Sequence, residues 1–206
     1  MIRFLTGGES HGEGLIGILE GFPAGLYLDE KYINNELKRR QQGYGRSNRM
    51  KIEKDKIQIL SGVNNCYTTG NPISIMIKNK GRDIDLVEIT RPRPGHADLP
   101  GALKYNQKGS RDILERASAR ETAMRVALGG ICKLFLHKFN IQIYSHVIQI
   151  GNIESEKNYY TNLKIEDLLE ADKSPIRVLD KKKESLMIKE IEKVKNIGDT
   201  IGGTIE

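Results

Sequence analysis

The chain has 206 residues, of which 38% are hydrophobic and 29% charged, and its formal net charge is +6. This length allows a sizeable globular core, while no apolar run approaches the roughly 18 residues of a membrane helix. The N-terminus breaks into glycines and charges after five residues, unlike a secretory signal. We therefore expect a cytoplasmic protein with no membrane partner, and the two isolated cysteines predict neither a disulfide framework nor a metal site.

The positive charge is concentrated in residues 38–56, which carry eight basic and two acidic side chains. This excess equals the net charge of the whole chain, so the remainder is formally neutral. Such a basic patch favours a discrete polyanion: a phosphorylated metabolite, a phosphate-bearing cofactor or a nucleic acid. Because aromatic residues make up only 6% of the chain and Trp is absent, bases would find few stacking partners. We therefore expect no nucleic-acid partner.

A short strand is predicted over residues 2–5, and it leads into a glycine-rich loop with His11 at its centre. A ligand could reach a histidine so flanked, and a side chain that titrates near neutrality suits a proton donor. A structural histidine is the alternative. The glycines from Gly12 to Gly17 formally match the dinucleotide-binding fingerprint, but a β-type run follows them instead of the required helix, which excludes that interpretation.

Asp29 is a predicted N-cap for a helix that runs to about Arg40, with apolar residues at Ile33 and Leu37. Two glycines then predict a turn or flexible loop, with Arg40 and Arg46 on either side. These arginines could converge on one phosphate. Alternatively, the basic end of this helix only complements its dipole. Residues 51–56 alternate in charge and are predicted to be a solvated strand face.

Two runs with near-alternating apolar residues, 57–63 and 73–77, predict a pair of antiparallel strands joined by a turn-rich segment. Residues 78–95 are polar and contain prolines, which predicts a loop that delivers His96.

The stretch from Arg91 to Arg125 combines a proline-rich loop with a helix-start signal. Arg116 and Arg120 are four residues apart, hence on one face if both are helical. Ser118 and Glu121 resemble a capping box at the start of a buried helix over residues 119–137. A helix N-terminus beside two arginines is suited to an anion. The alternative is an ordinary capped helix with solvated arginines.

The remaining elements are a predicted strand over residues 141–150, two amphipathic helices and a terminal strand. We expect the helices near residues 165–171 and 184–196, with Lys181–Lys183 as a solvated linker. Residues 198–206 predict a turn that leads into the terminal strand.

Four segments in this order and spacing closely resemble chorismate synthases. They are Gly-Glu-Ser-His-Gly at 8–12, the Arg-Arg-Gln…Gly-Arg loop at 39–46, Arg-Pro-Gly-His-Ala-Asp at 93–98 and Arg-Ala-Ser-Ala-Arg-Glu-Thr-Ala at 116–123. The likeness extends to residues 59–63, 68–70 and 198–203, so it covers almost the whole chain. The resemblance implies an α+β fold, in which antiparallel β-α-β sandwich layers surround buried helices. It also implies that residues 1–206 are the N-terminal part of a single domain.

The resemblance implies a carbon–oxygen lyase of aromatic amino-acid biosynthesis. Its reaction is the anti-1,4-elimination of phosphate from 5-enolpyruvylshikimate 3-phosphate to give chorismate, in the shikimate pathway, with reduced FMN. NADPH is the candidate reductant, and the family assembles as a homotetramer. From the matching motifs, the resemblance implies that His11 protonates the reduced flavin and that His96 is the general acid for the departing phosphate.

The binding residues also follow from the resemblance. The substrate's phosphate and carboxylates are assigned to Arg40, Arg46, Arg93 and Arg120. The cofactor is assigned to Arg116, Ala117 and Ser118, with Arg40 and Arg46. Many family members have Ser where this chain has Ala117, so one hydroxyl contact differs here.

Family chains continue well past the Gly-Gly-x-x-Glu strand, and their later part supplies further FMN contacts and a catalytic acidic residue. We therefore expect this chain to be an N-terminal portion. The alternatives are a catalytically inactive fragment of that enzyme and, less consistent with the composition, a basic nucleic-acid-binding protein.

Overall fold

A computed structural model describes residues 1–46, 54–80, 88–157 and 163–206. The contacts group these residues into two compact units. The first unit comprises Met1–Gln41 and the described part of Ser47–Ile141, and the second comprises Gln42–Arg46 and the described part of Gln142–Glu206. In these ranges, no helix is both long enough and apolar enough to cross a bilayer.

An antiparallel sheet of four strands forms the first unit's framework. Its strands are β1 (Arg3–Gly8), β2 (Gly14–Glu20), β3 (Ile57–Ser61) and β6 (Ile73–Lys78). Across the sheet they follow the order β1-β2-β6-β3. Between β3 and β6 the chain makes a small hairpin of β4 (Val63–Asn64) and β5 (Tyr67–Thr68). The predicted antiparallel pairing of residues 57–63 with 73–77 is confirmed, with Ile57 opposite Ile77.

One face of this sheet is buried because apolar residues alternate along its strands. In β2, Leu15 and Leu19 are buried whereas Ile16 and Ile18 point to the other face. Gly17 lies between the two leucines on the buried face. A Cβ atom there would lie 2.5 Å from Met124 Sδ, so the helix that carries Met124 packs directly on the backbone of β2.

Four helices complete the described part of the first unit: α1 (Glu30–Arg40), α2 (Asp98–Tyr105), α3 (Arg111–Ala117) and α4 (Thr122–His137). Asp29 caps α1 as predicted, since its carboxylate accepts from Lys31 N at 2.9 Å and from Tyr32 N at 3.2 Å. Helix α4 packs on the sheet and on α1, and its apolar residues join the core, which confirms the predicted buried helix.

Arg116 and Arg120 would share one face if both lay in the same helix, and this condition is not met. Arg116 lies in the last turn of α3, and Ser118 has an extended conformation with φ −57° and ψ 144°. Arg120 belongs to a short 3₁₀ turn, Ala119–Glu121, that precedes α4. The two arginines are therefore on different elements and face different surroundings.

The predicted capping box is wrong in its partners. Ser118 Oγ accepts from Arg120 N at 3.3 Å instead of from Glu121 N. The Glu121 carboxylate instead accepts from Thr6 Oγ1 at 2.7 Å and from Arg125 Nε at 2.8 Å. The Glu121 side chain therefore binds Thr6 and Arg125 instead of the backbone N–H of Ser118, which a capping box would require. The Glu121–Arg125 pair itself has the favourable order along the helix.

The described part of the second unit contains a three-stranded antiparallel sheet and two helices. Its elements are β7 (Val147–Ile150), β8 (Ile153–Glu154), α5 (Ile165–Glu170), α6 (Lys181–Asn196) and β9 (Gly203–Ile205). Across the sheet the strands follow the order β8-β7-β9. Val178 and Met187 are fully buried at the centre of its apolar core. Helices combined with antiparallel sheets confirm the α+β class.

Two boundaries in the second unit differ from the predictions. The strand expected over residues 141–150 is formed only over Val147–Ile150, where it pairs with β8 and β9. Lys181–Lys183 is the first turn of α6 and not a linker. Asp180 caps this turn by accepting from Lys182 N at 3.0 Å and Lys183 N at 3.2 Å, which stabilises a helix start at these residues.

Candidate active site

The loop that carries His11 connects β1 to β2 in a tight reversal. Gly8 begins it with φ +99°, and a Cβ there would lie 2.2 Å from the carbonyl oxygen of Gly14. Only glycine fits this approach. Two buried side chains from distant parts of the sequence, Asn79 and Glu115, then bind the loop from two sides.

Glu115, on α3, holds His11 by both its backbone and its ring. Its Oε2 accepts from His11 N at 3.0 Å and from Ser10 Oγ, and it lies 2.8 Å from His11 Nδ1, while Oε1 accepts from Arg111 Nη1 at 3.2 Å. The Glu115 side chain is only 5% exposed. Burial alone would raise the pKa of Glu115, but the hydrogen bonds from Ser10 and His11 outweigh it and lower that pKa. The carboxylate is therefore ionised at neutral pH.

Asn79, which follows β6, connects the His11 loop to a buried arginine. Its Nδ2 donates to the carbonyl oxygens of Glu9 and Gly12 at 3.0 and 2.9 Å. Its Oδ1 accepts from Arg120 Nε at 2.9 Å. One buried amide thus fixes both ends of the segment around His11 and orients the guanidinium of Arg120.

Two arginines meet at the carboxylate of Asp55. Arg120 Nη1 lies 2.7 Å from both carboxylate oxygens, and Arg40 Nη1 lies 3.9 Å from Oδ2. Arg40 also donates to Thr122 Oγ1 at 3.0 Å and to the carbonyl oxygen of Ala119 at 2.7 Å. The side chains of Asp55, Arg40 and Arg120 are at most 7% exposed. Two guanidiniums share one carboxylate, so these three side chains carry a net positive charge.

The residues assigned to the cofactor by resemblance form an exposed edge where α3 ends. Arg116 Nη2 donates to the carbonyl oxygen and to Oγ1 of Thr6, both at 3.0 Å, while its side chain stays 43% exposed. Ala117 is exposed and Ser118 partly buried. Glu121 approaches the same arginine at 3.9 Å. Burial would raise the pKa of Glu121, but hydrogen bonds from Thr6 and Arg125 with nearby positive charge lower it overall.

His96 belongs to a second cluster, on the loop before α2. Its Nδ1 lies 2.5 Å from Asp98 Oδ1. Arg93 donates to the same carboxylate from its backbone N and from Nε, both at 3.0 Å, and from Nη2 at 3.3 Å. Asp98 is fully buried. The hydrogen bonds of Arg93 hold the pKa of Asp98 well below its usual range despite that burial.

The structure thus joins His11, Arg40 and Arg120 in one network and places His96 with Arg93 in another cluster. Arg46 lies in the second unit, where its Nε donates to the carbonyl oxygen of Gln42 at 3.0 Å. The convergence of Arg40 and Arg46 on one phosphate therefore stays a prediction.

Some predicted features fall beyond the described residues. Within residues 51–56, positions 51–53 lie outside them, and Lys54–Lys56 precede β3 without forming a strand. Residues 81–87 of the predicted loop over 78–95 also lie outside. Across the described ranges, no three His, Cys, Asp or Glu side chains gather into a group that could hold a metal ion.

The family model for chorismate synthase matches residues 2–206. The chain belongs to the chorismate synthase family. A curated relative from Carboxydothermus hydrogenoformans, named chorismate synthase, is 53% identical to this chain over 218 aligned positions. The alignment covers 100% of this chain and 56% of the relative. The chorismate synthase of Aquifex aeolicus is 49% identical over 226 positions, with the same coverage of both chains.

A solved crystal structure of a chorismate synthase has the same fold. It superposes with a TM-score of 0.79 at 44% identity, covering 99% of this chain and 56% of the other. The chain thus spans about half the length of the curated relatives it matches. The family resemblance and the α+β fold expected from the sequence are both confirmed.

The carboxylates and the amide that organise the site were not predicted. Asp98 follows His96 by two residues, so their contact could have been expected from the loop alone. Glu115 lies 104 residues from His11, and Asn79 lies 70 residues from Glu9, so no local pattern connects them. In the sequence, Asp55 is one of two acidic residues within the basic patch, and nothing there marks it as a partner of Arg120.

Proposed function

We propose that this chain carries the N-terminal part of a chorismate synthase active site, within one domain over residues 1–206. The reaction is the anti-1,4-elimination of phosphate from 5-enolpyruvylshikimate 3-phosphate, a carbon–oxygen lyase step that yields chorismate. The observation that supports it most is the network around His11. There the buried Glu115 carboxylate holds His11, and Asn79 connects the His11 loop to Arg120. Arg120 in turn shares the Asp55 carboxylate with Arg40.

His96 is the proposed general acid for the departing phosphate, because imidazole can donate a proton near neutral pH. His11 is the proposed proton donor on the flavin side of the site. Both rings are anchored at Nδ1, to Asp98 and Glu115 respectively. Anchoring limits ring rotation, so a proton donor stays aligned with its acceptor.

Arg40, Arg46, Arg93 and Arg120 are the proposed ligands of the substrate's phosphate and carboxylates. A guanidinium presents five N–H donors in a planar arrangement, which suits the oxygens of phosphate and carboxylate groups. The surrounding positive charge would favour a substrate with several negative groups.

The donor set of Arg116, Ala117 and Ser118 fits FMN, with Arg40 and Arg46 as further ligands. Arg116 is anchored to Thr6 yet 43% exposed, so it can also bind a phosphate or carbonyl oxygen. Ala117 adds no bulk at this edge, and Ser118 supplies a hydroxyl. Bound reduced FMN would supply electron density for C–O cleavage without net redox change. NADPH as reductant, a homotetramer and a cytoplasmic location belong to the same proposal.

Chorismate formation under anaerobic conditions, with chemically reduced FMN and the phosphorylated substrate, tests the proposal. It is measured for the chain itself and for a chimera joined to the complementary C-terminal part of the Carboxydothermus hydrogenoformans relative. We expect the chimera to form chorismate and to unfold at higher temperature with FMN, since a ligand of the native state stabilises it. A chimera that folds but neither binds FMN nor forms chorismate would exclude the function. Turnover by the chimera alone would identify the chain as an inactive portion.

A further inference from the structure

His11 and His96 are held by the same arrangement in two different places. In each, a buried carboxylate contacts the ring at Nδ1, at 2.8 Å from Glu115 and 2.5 Å from Asp98. In each, an arginine binds the same carboxylate: Arg111 from the preceding turn of α3, and Arg93 from the loop before α2. The same chain of contacts, from an arginine to a carboxylate to a histidine ring, thus occurs twice, on separate segments of the protein.

Neither carboxylate can readily turn away from its histidine, because other donors fix both of its oxygens. Glu115 also binds Ser10 Oγ, the backbone N–H of His11 and Arg111. Asp98 is bound three times by Arg93. Both carboxylates are at least nine-tenths buried, and releasing a buried carboxylate from its donors is costly.

We propose that Glu115 and Asp98 are matched positioning residues that hold His11 and His96 in the Nδ1–H tautomer, which makes Nε2 the basic atom of each ring. An ionised carboxylate has only acceptors, so a bond to it requires that the neutral ring carry its proton on Nδ1. The relevance of this tautomer to catalysis rests on the proposed function, because Nε2 is then the atom that exchanges protons with ligands.

A competing arrangement at His11 would have Ser10 donate its hydroxyl proton to Nδ1, from 3.2 Å. That would leave the ring proton on Nε2. The Ser10 hydroxyl, however, donates to Glu115 Oε2, and a hydroxyl has only one proton to donate. The geometry therefore directs both the Ser10 and the His11 protons to the same carboxylate oxygen.

The test is imidazole ¹⁵N spectroscopy of the full 206-residue chain, which contains four histidines. The protein is labelled at histidine and studied near pH 9, above the usual histidine pKa of about 6.5. His11→Gln and His96→Gln assign the two resonance pairs. We expect a pyrrole-type Nδ1 and a pyridine-type Nε2 in both rings. An Nε2–H tautomer at either ring in the unmodified chain overturns the proposal, whatever any variant does.

Two variants then serve as each other's control. Glu115→Ala should release the Nδ1–H tautomer of His11 and leave His96 unchanged, and Asp98→Ala should do the reverse. His137, whose ring packs edge-on against Tyr32, should not change in either variant. A folded Glu115→Ala chain with an unchanged His11 spectrum would show that the carboxylate does not set the tautomer. The spectra need neither FMN nor substrate, so this result is separate from the proposed reaction.

Discussion

At the residue scale, buried carboxylates determine how the basic side chains of this protein are arranged. Asp55, Asp98 and Glu115 are each nine-tenths or more buried, and each binds at least one arginine. The arginines are conspicuous in the sequence, whereas Asp55 and Glu115 lie outside the motifs, and only Asp98 belongs to one. The sequence therefore reveals the positive charge of the site but not what orients it.

The contribution of Asp98 to stability should depend on pH. Its pKa is lowered in the folded protein, so its carboxylate stabilises the fold above the usual aspartate pKa of about 3.9. This stabilisation should fade as the pH falls through the lower folded-state pKa. Denaturant unfolding should show that the unmodified chain has a higher free energy of unfolding than Asp98→Asn. This difference should be constant at neutral pH and should decrease below about pH 4. A difference in the free energy of unfolding that increases in acid would contradict this prediction. Asp112→Asn, on the exposed surface of α3, is the control for general charge effects.

Asp55→Ala should lower the free energy of unfolding by about 3–5 kcal/mol, the usual result of removing one partner from a buried ion pair. It removes the carboxylate that Arg120 and Arg40 both contact. Glu20→Ala is the matched control, because Glu20 pairs with Arg3 on the exposed edge of the sheet. Breaking that surface pair should cost about 1 kcal/mol or less. Equal losses in the two variants would show that the buried pair contributes nothing special.

At the scale of secondary-structure elements, prediction succeeded where the pattern was local. The capped helix α1, the buried helix α4 and the β3–β6 pair follow from caps, apolar faces and alternation. Helices α2 and α3 were missed, because Pro100 and Gly101 in α2 and the short length of α3 weaken their local signals. The helix-start signal at Ser118 was misplaced because Glu121 has stronger partners in the fold.

Asn79 connects the loop of His11 to the rest of the first unit. Asn79→Ala removes hydrogen bonds to Glu9, Gly12 and Arg120, so we expect a loss of about 1–3 kcal/mol in unfolding free energy. Amide hydrogen exchange should accelerate over residues 9–13 more than in α4. Asn71→Ala, at an exposed turn, should stay within about 0.5 kcal/mol. Uniform acceleration across the first unit would argue against a local role for Asn79.

The packing of α4 on β2 depends on the missing side chain of Gly17. Gly17→Ala would place a methyl group 2.5 Å from Met124 Sδ, and overpacking of this kind costs about 1–3 kcal/mol. Gly129→Ala is the matched control, because a Cβ there meets nothing within 4 Å. It should raise stability by up to about 1 kcal/mol through helix propensity. Thermal unfolding that shifts both variants in the same direction would contradict this account.

At the scale of the whole molecule, the chain comprises two compact units that together match the family model from residue 2 to residue 206. The histidines and most of the arginines assigned by resemblance lie in the first unit, and Arg46 lies in the second. The family could be identified from the sequence because its motifs are short and ordered along the chain. The contacts that connect these segments could not, since many of them join residues between 41 and 110 positions apart.

The rate of chorismate formation by the chimera, with His11→Ala and His96→Ala compared to the unmodified form, tests the central claim most directly. Loss of a general acid typically slows a reaction by about 100-fold or more. We therefore predict that each variant folds, binds FMN and forms chorismate at least about 100-fold more slowly. Variants that keep more than about half of the unmodified rate would contradict the assignment of these two histidines as the proton donors of the site.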